Sequence, residues 1–322
     1  MQYARLQGQP AQTGAMAKPA VQAGRRLPRR GPNTVRFLLR HRITSNHPNG
    51  TPRAAMNLGS TVIVHADDFG ETLEITQGIC TGIEAAVVTS TSIMANMPGT
   101  EFALRRAPAL AGRASFGVHL NLCEGRPLTR GRTLVDSDGR FHRKRALFLR
   151  SVTRRLDSRE IEAEVTAQIA RVRDAGIVIS HLDGHKHLHQ LPMVSAAVAK
   201  VLPRFGIQRV RITRLGGVAG TRNASGLVRE LLALKASRKF RSARLRSPVR
   251  TVDLKEMLES RQRPIVDVEG PVELCCHPGT PAADTDKPGS HRRASELEFL
   301  LSADFQELLR RDRARLISYW DV

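Results

Sequence analysis

From Ser60 onward, short apolar runs alternate with amphipathic stretches, and this alternation restricts the possible folds more than any other feature of the chain. Apolar runs of roughly four to eight residues have the length of buried strands, whereas apolar positions three and four apart over ten or more residues mark helices that bury one face. Thr61 to His65, Thr91 to Ala95, Ser115 to Leu122, Ile177 to Leu182, Gln208 to Thr213 and Val272 to Cys276 read as strands. Glu71 to Ala86, Gly99 to Leu110, Ser158 to Ala175, Pro192 to Val201, Gly226 to Lys239 and Ala294 to Arg315 read as helices. Strands separated by helices pair in parallel, which predicts an α/β fold, either an open doubly wound sheet or a barrel. No internal repeat is visible.

Charge is distributed unevenly over this frame. The net charge of +21 invites a nucleic-acid reading, yet residues 1–57 hold ten Lys or Arg and no acid, and residues 214–250 hold ten more against the single acid Glu230. The rest of the chain is close to neutral. The first 57 residues mix Gln, Ala, Gly, Pro and Arg without apolar periodicity, so they are expected to be a disordered basic tail. Residues 58–322 then form one domain with a basic insertion at 214–250. The tail also fits a transit peptide, although it is poor in Ser, or a start codon assigned too far upstream. Val35-Arg36-Phe37-Leu38-Leu39-Arg40 is too short and too charged for a secretory signal. No run approaches the roughly 18 to 20 apolar residues that cross a bilayer. Cys80, Cys123, Cys275 and Cys276 show no C-x-x-C spacing, which fits reduced thiols and a cytoplasmic location.

The chemistry-bearing residues cluster where strands end. His65-Ala66-Asp67-Asp68-Phe69-Gly70 closes the first strand, and two adjacent carboxylates are costly to bury unless a cation or hydrogen bonds compensate. The bland alternative is a solvated turn with a helix cap. His119 lies inside the apolar run Gly117-Val118-His119-Leu120-Asn121-Leu122, where a lone His is more often a core residue than a ligand. From His181 to His189, four His and one Asp fall within nine residues, and each imidazole needs a partner if buried. His277, in Cys275-Cys276-His277-Pro278-Gly279, follows the last strand. Convergence of these groups at the C-terminal mouth of a parallel β structure would assemble an active site. One Asp and two His with an open position is a common set for a catalytic divalent metal.

The ordered motifs H-A-D-D-F-G, V-T-S-T-S, G-V-H-L-N-L, H-L-D-G-H-K-H-L-H and C-H-P resemble those of the YdjC-like carbohydrate deacetylases, which include chitooligosaccharide and hopanoid-biosynthesis deacetylases. The resemblance spans Ser60 to Tyr319. It implies a distorted (β/α) barrel, a divalent metal held by Asp68, His119 and His185, Asp67 as general base and His277 as candidate acid. Mg2+ is the expected ion, with Zn2+ or another divalent ion as the alternative. His187 and His189 are expected to support the ligands or face the substrate. Two departures affect the surroundings of the metal: His65 stands where Asn is common, and Gly184-His185-Lys186 replaces the frequent Ser-His-His.

The activity expected is hydrolysis of the N-acetyl group of an amino sugar, as an oligosaccharide or attached to a lipid. Two other readings stay open. A metal-dependent phosphoesterase would normally need a second metal roughly 3.5 to 4 Å from the first and more bridging carboxylates. A basic protein that only binds nucleic acid or membrane would use the tail and residues 214–250, but Tyr3, Tyr319 and Trp320 offer little surface for stacking bases. The partners expected are an N-acetylated sugar, an anionic membrane at its inner face, met peripherally through the basic segments, and a second copy of the chain as a homodimer, with no nucleic acid. In Gly226 to Lys239, Leu227, Val228, Leu231, Leu232 and Leu234 interleave with Arg229, Lys235, Arg238 and Lys239, a pattern that suits such a surface.

Overall fold

The computed structural model describes residues 61–213, 224–260, 270–281 and 290–322. The expected tail lies outside the described residues. The elements run β1 (Thr61–Phe69), α1 (Leu73–Glu84), β2 (Ser90–Ile93), α2 (Thr100–Leu110), β3 (Ser115–Leu120), α3 (Lys144–Val152), α4 (Ser158–Asp174), β4 (Ile179–Gly184) and α5 (Pro192–Val201). They continue with α6 (Ala224–Ser242), β5 (Arg250–Asp253), α7 (Leu254–Ser260), β6 (Val272–Cys276), α8 (Ser290–Leu300), α9 (Ala303–Arg311) and β7 (Arg315–Leu316).

All the described strand pairings are parallel, in the order β4-β3-β2-β1-β6-β5, with β7 added beside the start of β1. The circuit between β4 and β5 closes through single bridges, Leu182 with Val210 and Arg209 with Arg246. Gln208 to Thr213, expected as a full strand, therefore contributes only this short bridge, and the barrel is distorted there. The expected single helix from Ala294 to Arg315 divides at Leu301-Ser302, where the Ser302 hydroxyl accepts from Phe305 N–H and starts α9. The helix α3 and the strand β5 carry no strong sequence period and were not expected. The basic stretch expected as an insertion supplies, over its described part, helix α6 and the 246 bridge that leads into β5.

Alternation along the strands separates two interiors. Val62, Val64 and Ala66 of β1 face the helices and join the large apolar cluster with Ile79 and Ile83 of α1. Each fully buried Val or Ile contributes about 1.5 to 3 kcal/mol, so this outer shell carries the stability. Ile63 faces the lumen, where it packs with Ile317 and Tyr319 and closes the lower end. His65 and Asp67 follow on the same face, and above Ile63 the lumen turns polar. Tyr319 stacks on His181 with ring centroids 3.6 Å apart. A Cβ on Gly117 would lie 2.5 Å from that imidazole, so only glycine lets β3 pass it.

Candidate active site

The loop after β1 begins with a local distortion. The β1–β2 register shifts between Ala66 and Phe69, and Asp68 adopts a left-handed backbone with φ of 70°. A residue with a Cβ pays about 1 to 2 kcal/mol for that conformation. Strict alternation would send adjacent side chains to opposite faces; the twist instead leaves both Asp67 and Asp68 at the mouth of the barrel. Gly70, at φ of 98°, completes the turn where a Cβ would meet the Met94 carbonyl at 3.0 Å. Thr72 then caps α1 by accepting from Ile75 N–H.

The structure brings Asp68, His119 and His185 together, with one ligand atom of each within 4.8 Å of the others. His185 Nδ1 lies 2.9 Å and His119 Nε2 3.2 Å from the same oxygen, Asp68 Oδ1. On the far side of each ring stands a carboxylate. His119 Nδ1–H donates to Asp183 Oδ1 at 2.8 Å, and His185 Nε2 lies 3.2 Å from Glu124 Oε1. Carboxylates in those positions fix the tautomer, leaving the inner nitrogen's lone pair for a metal. The second oxygen of Asp68 accepts from Arg293 at 2.6 Å, and the same guanidinium bonds Glu71 at 2.9 Å.

Beneath this cluster lies Arg211, fully buried. Its Nη1 and Nη2 donate to the two oxygens of Asp67 at 2.9 and 2.8 Å, its Nε and Nη2 reach Glu273 at 2.9 and 2.7 Å, and its Nη1 lies 2.9 Å from Asp183. His277 also approaches Asp67, with Nε2 3.8 Å from Oδ2 and a side chain 21% exposed. Its backbone N–H donates to Glu296 at 2.6 Å.

These contacts set the charge states. Burial pushes Asp67 up, but the Arg211 guanidinium outweighs it and holds the carboxyl well below its usual range. Burial likewise opposes ionisation of Asp68, and hydrogen bonds from His119 and His185 overcome it. Desolvation disfavours a charged His119, yet the Asp183 and Asp67 carboxylates raise its pKa well above the ordinary imidazole value. His185 rises for the same reason, burial being outweighed by Asp68 and Glu124. Glu124, close to His185 and paired with Lys186, falls to about 2.

Five carboxylates, Asp67, Asp68, Glu71, Asp183 and Glu273, face two guanidiniums, Arg211 and Arg293, so negative groups outnumber positive ones when the imidazoles are neutral. Unpaired charge is expensive in such a site. A divalent cation among Asp68, His119 and His185 would offset that excess, so the residues present fit a metal.

The remaining histidines divide. His189 is fully buried and its Nε2–H donates to the Arg211 carbonyl at 2.9 Å, so it anchors the closing bridge and does not face substrate. His187 lies 3.2 Å from the Thr213 hydroxyl, at the edge of the site. His65 is enclosed by Ser90 and Ser92 at 2.9 and 3.2 Å. Arg211, Glu273, Glu124 and Arg293 were not singled out by sequence reasoning, and Asp183, though part of the His181 to His189 cluster, was given no role. The spacing of Asp183, two residues from both His181 and His185, was the available signal for one of them, since residues two apart share a strand face.

Residues 61–311 match the family described as YdjC-like protein. A carbohydrate deacetylase of Vibrio cholerae serotype O1 is 32% identical over 251 residues, which cover 77% of this chain and 90% of the relative. A carbohydrate deacetylase of Listeria monocytogenes serotype 4a is 29% identical over 264 residues, covering 81% and 99% respectively. The crystal structure of an Enterococcus faecalis V583 protein superposes with a TM-score of 0.65 at 22% identity, covering 82% of this chain and 98% of that one. That last likeness is one of fold.

Proposed function

The chain belongs to the YdjC-like family, and we propose that it is a metal-dependent hydrolase that removes the acetyl group from the nitrogen of an acetylated amino sugar. The curated relatives named carbohydrate deacetylases support the reaction class. The observation that carries the metal assignment is the convergence of Asp68, His119 and His185, with Asp183 and Glu124 on the outer nitrogens of the two imidazoles.

Hydrolysis of an amide needs an activated water, a stabilised oxyanion and a protonated leaving nitrogen. A divalent ion bound by Asp68, His119 and His185 would supply Lewis acidity, lowering the pKa of a water toward about 7 and polarising the acetyl carbonyl. Asp67 is the general base: Arg211 keeps it ionised at neutral pH and fixes the direction of its oxygens. His277, 3.8 Å from Asp67 and partly open to solvent, delivers a proton to the departing amine. A general acid or base of this kind typically contributes about 10² to 10⁴ in rate. The products are acetate and the free amino sugar.

Two imidazoles and one carboxylate suit a first-row divalent ion better than Mg2+, the expected ion, which prefers oxygen ligands. The reading places the enzyme in the cytoplasm, in keeping with the four free cysteines. Acetate release from N-acetylated oligosaccharides and lipid-linked N-acetyl sugars, with Mg2+, Mn2+ or Zn2+ added in turn to metal-stripped protein, tests the proposal. Release of phosphate from phosphoesters without release of acetate would reject it.

A further inference from the structure

Helix α6 presents two unlike faces. Ala233, Ala236, Ser237 and Phe240 are buried toward the barrel. The opposite face exposes Leu227, Val228, Leu231 and Leu234, at 40 to 63% of their surface, and continues with exposed Lys235, Arg238 and Arg241. Helix α3 repeats the pattern, exposing Leu149 and Val152 at 57 and 42%. Residues 143–155 around them hold six cations and no acid.

The two helices share packing partners. Both pack on α5 and on the turn at His185–Gln190. Ser151 of α3 accepts from Met193 N–H at 3.5 Å, and Lys239 of α6 donates to the Pro192 carbonyl at 2.6 Å, so both are tied to the first turn of α5. Burial and then the nearby charges of Arg154 and Lys235 lower the pKa of Lys239. Exposed apolar side chains and cations on both helices therefore flank the first turn of α5 and the turn that carries His185.

We propose that this α3–α6 face docks on the surface of an anionic bilayer. Leucines enter the headgroup boundary while Lys and Arg pair with lipid phosphates, the arrangement of an interfacial amphipathic helix. Each cation near such a surface contributes about 1 kcal/mol. Other occupants fit less well. Residues 1–57, with ten cations and no acid, are repelled by these cations, as is a second copy of this face. Nucleic acid offers the cations a partner but leaves the leucines in water. No described helix is long and apolar enough to cross a membrane, so the association is peripheral. Docking would turn the mouth of the barrel toward lipid-borne sugars; that consequence rests on the deacetylase reading, whereas the docking itself does not.

Co-sedimentation of the full chain with phosphatidylcholine vesicles, with and without phosphatidylglycerol, at low and high salt tests the proposal. Binding should require phosphatidylglycerol and fall with salt. Lys235→Glu with Arg238→Glu should weaken it about a hundredfold. Leu231→Ser with Leu234→Ser, which leaves the charge unaltered, should weaken it about tenfold. Leu149→Ser provides an independent variant on α3 with the same direction of change. All these positions are exposed and outside the site, so the thermal midpoint and acetate release from a soluble substrate should stay at the parent level. Absence of binding, equal binding to pure phosphatidylcholine, or parent-like binding by the variants would overturn the proposal; the last result would place the contact on the basic N-terminal segment.

Discussion

Arg211 and Asp67 meet through two hydrogen bonds of 2.9 and 2.8 Å inside the barrel, one on each carboxylate oxygen. The fork fixes the plane of the carboxylate, and its positive charge keeps Asp67 ionised. Asp67→Asn keeps the shape but cannot accept a proton. It is expected to retain one equivalent of metal by elemental analysis and to lose activity by at least about 10². Loss of the metal instead would make Asp67 a ligand.

Arg211→Met leaves Asp67, Asp183 and Glu273 without their shared cation. Breaking a buried pair of this kind costs about 3 to 5 kcal/mol. Denaturant unfolding should show that loss, and Arg211→Lys should recover only part of it because a lysine cannot reproduce the fork. A variant as stable as the parent would contradict the electrostatic account of the lumen.

Asp183→Asn and Glu124→Gln should each weaken metal affinity by about 10- to 100-fold while leaving the three ligands in place. Competition with a chelator measures this. Unchanged affinity would remove these carboxylates from the metal site.

His277→Ala should lower kcat by about 10² or more and leave KM nearly unchanged, since the proposed acid acts on the leaving nitrogen and not on the bound ground state. An unchanged kcat would assign the proton to another group.

In metal-free protein, His119 and His185 have pKa values raised above the unfolded imidazole value of 6.5. Their contribution to stability is complete below pH about 6.5 and is lost as pH rises through the raised folded values. The thermal midpoint of metal-free protein should therefore fall as pH is raised above neutrality. Metal binding needs neutral imidazoles and displaces those protons, so affinity should rise with pH over the same range. A pH-independent affinity would contradict the coupling.

The outer frame was legible because burial on both sides of parallel strands gives continuous apolar runs such as Thr61 to His65. The residues now gathered at the mouth were legible because His and Asp stand out at strand ends. The polar lumen was not. Arg211 lies in a run where Arg209 and Arg211 alternate with apolar residues, the same pattern as a solvent-facing strand edge. Only closure of the barrel decides that this face points inward, onto Glu273 from a strand 62 residues away. Glu124 and Arg293 were missed for a similar reason, since their partners Lys186 and Asp68 are brought to them by tertiary structure alone.

The proposed reaction requires one divalent ion, held by Asp68, His119 and His185. Titrating metal-stripped protein with a divalent ion while measuring acetate released from an N-acetylated oligosaccharide tests it most directly. Activity should be absent from the stripped protein and reach its maximum at one equivalent, with His119→Ala failing to respond. Undiminished acetate release by stripped protein, or full recovery in the His119→Ala variant, would contradict it.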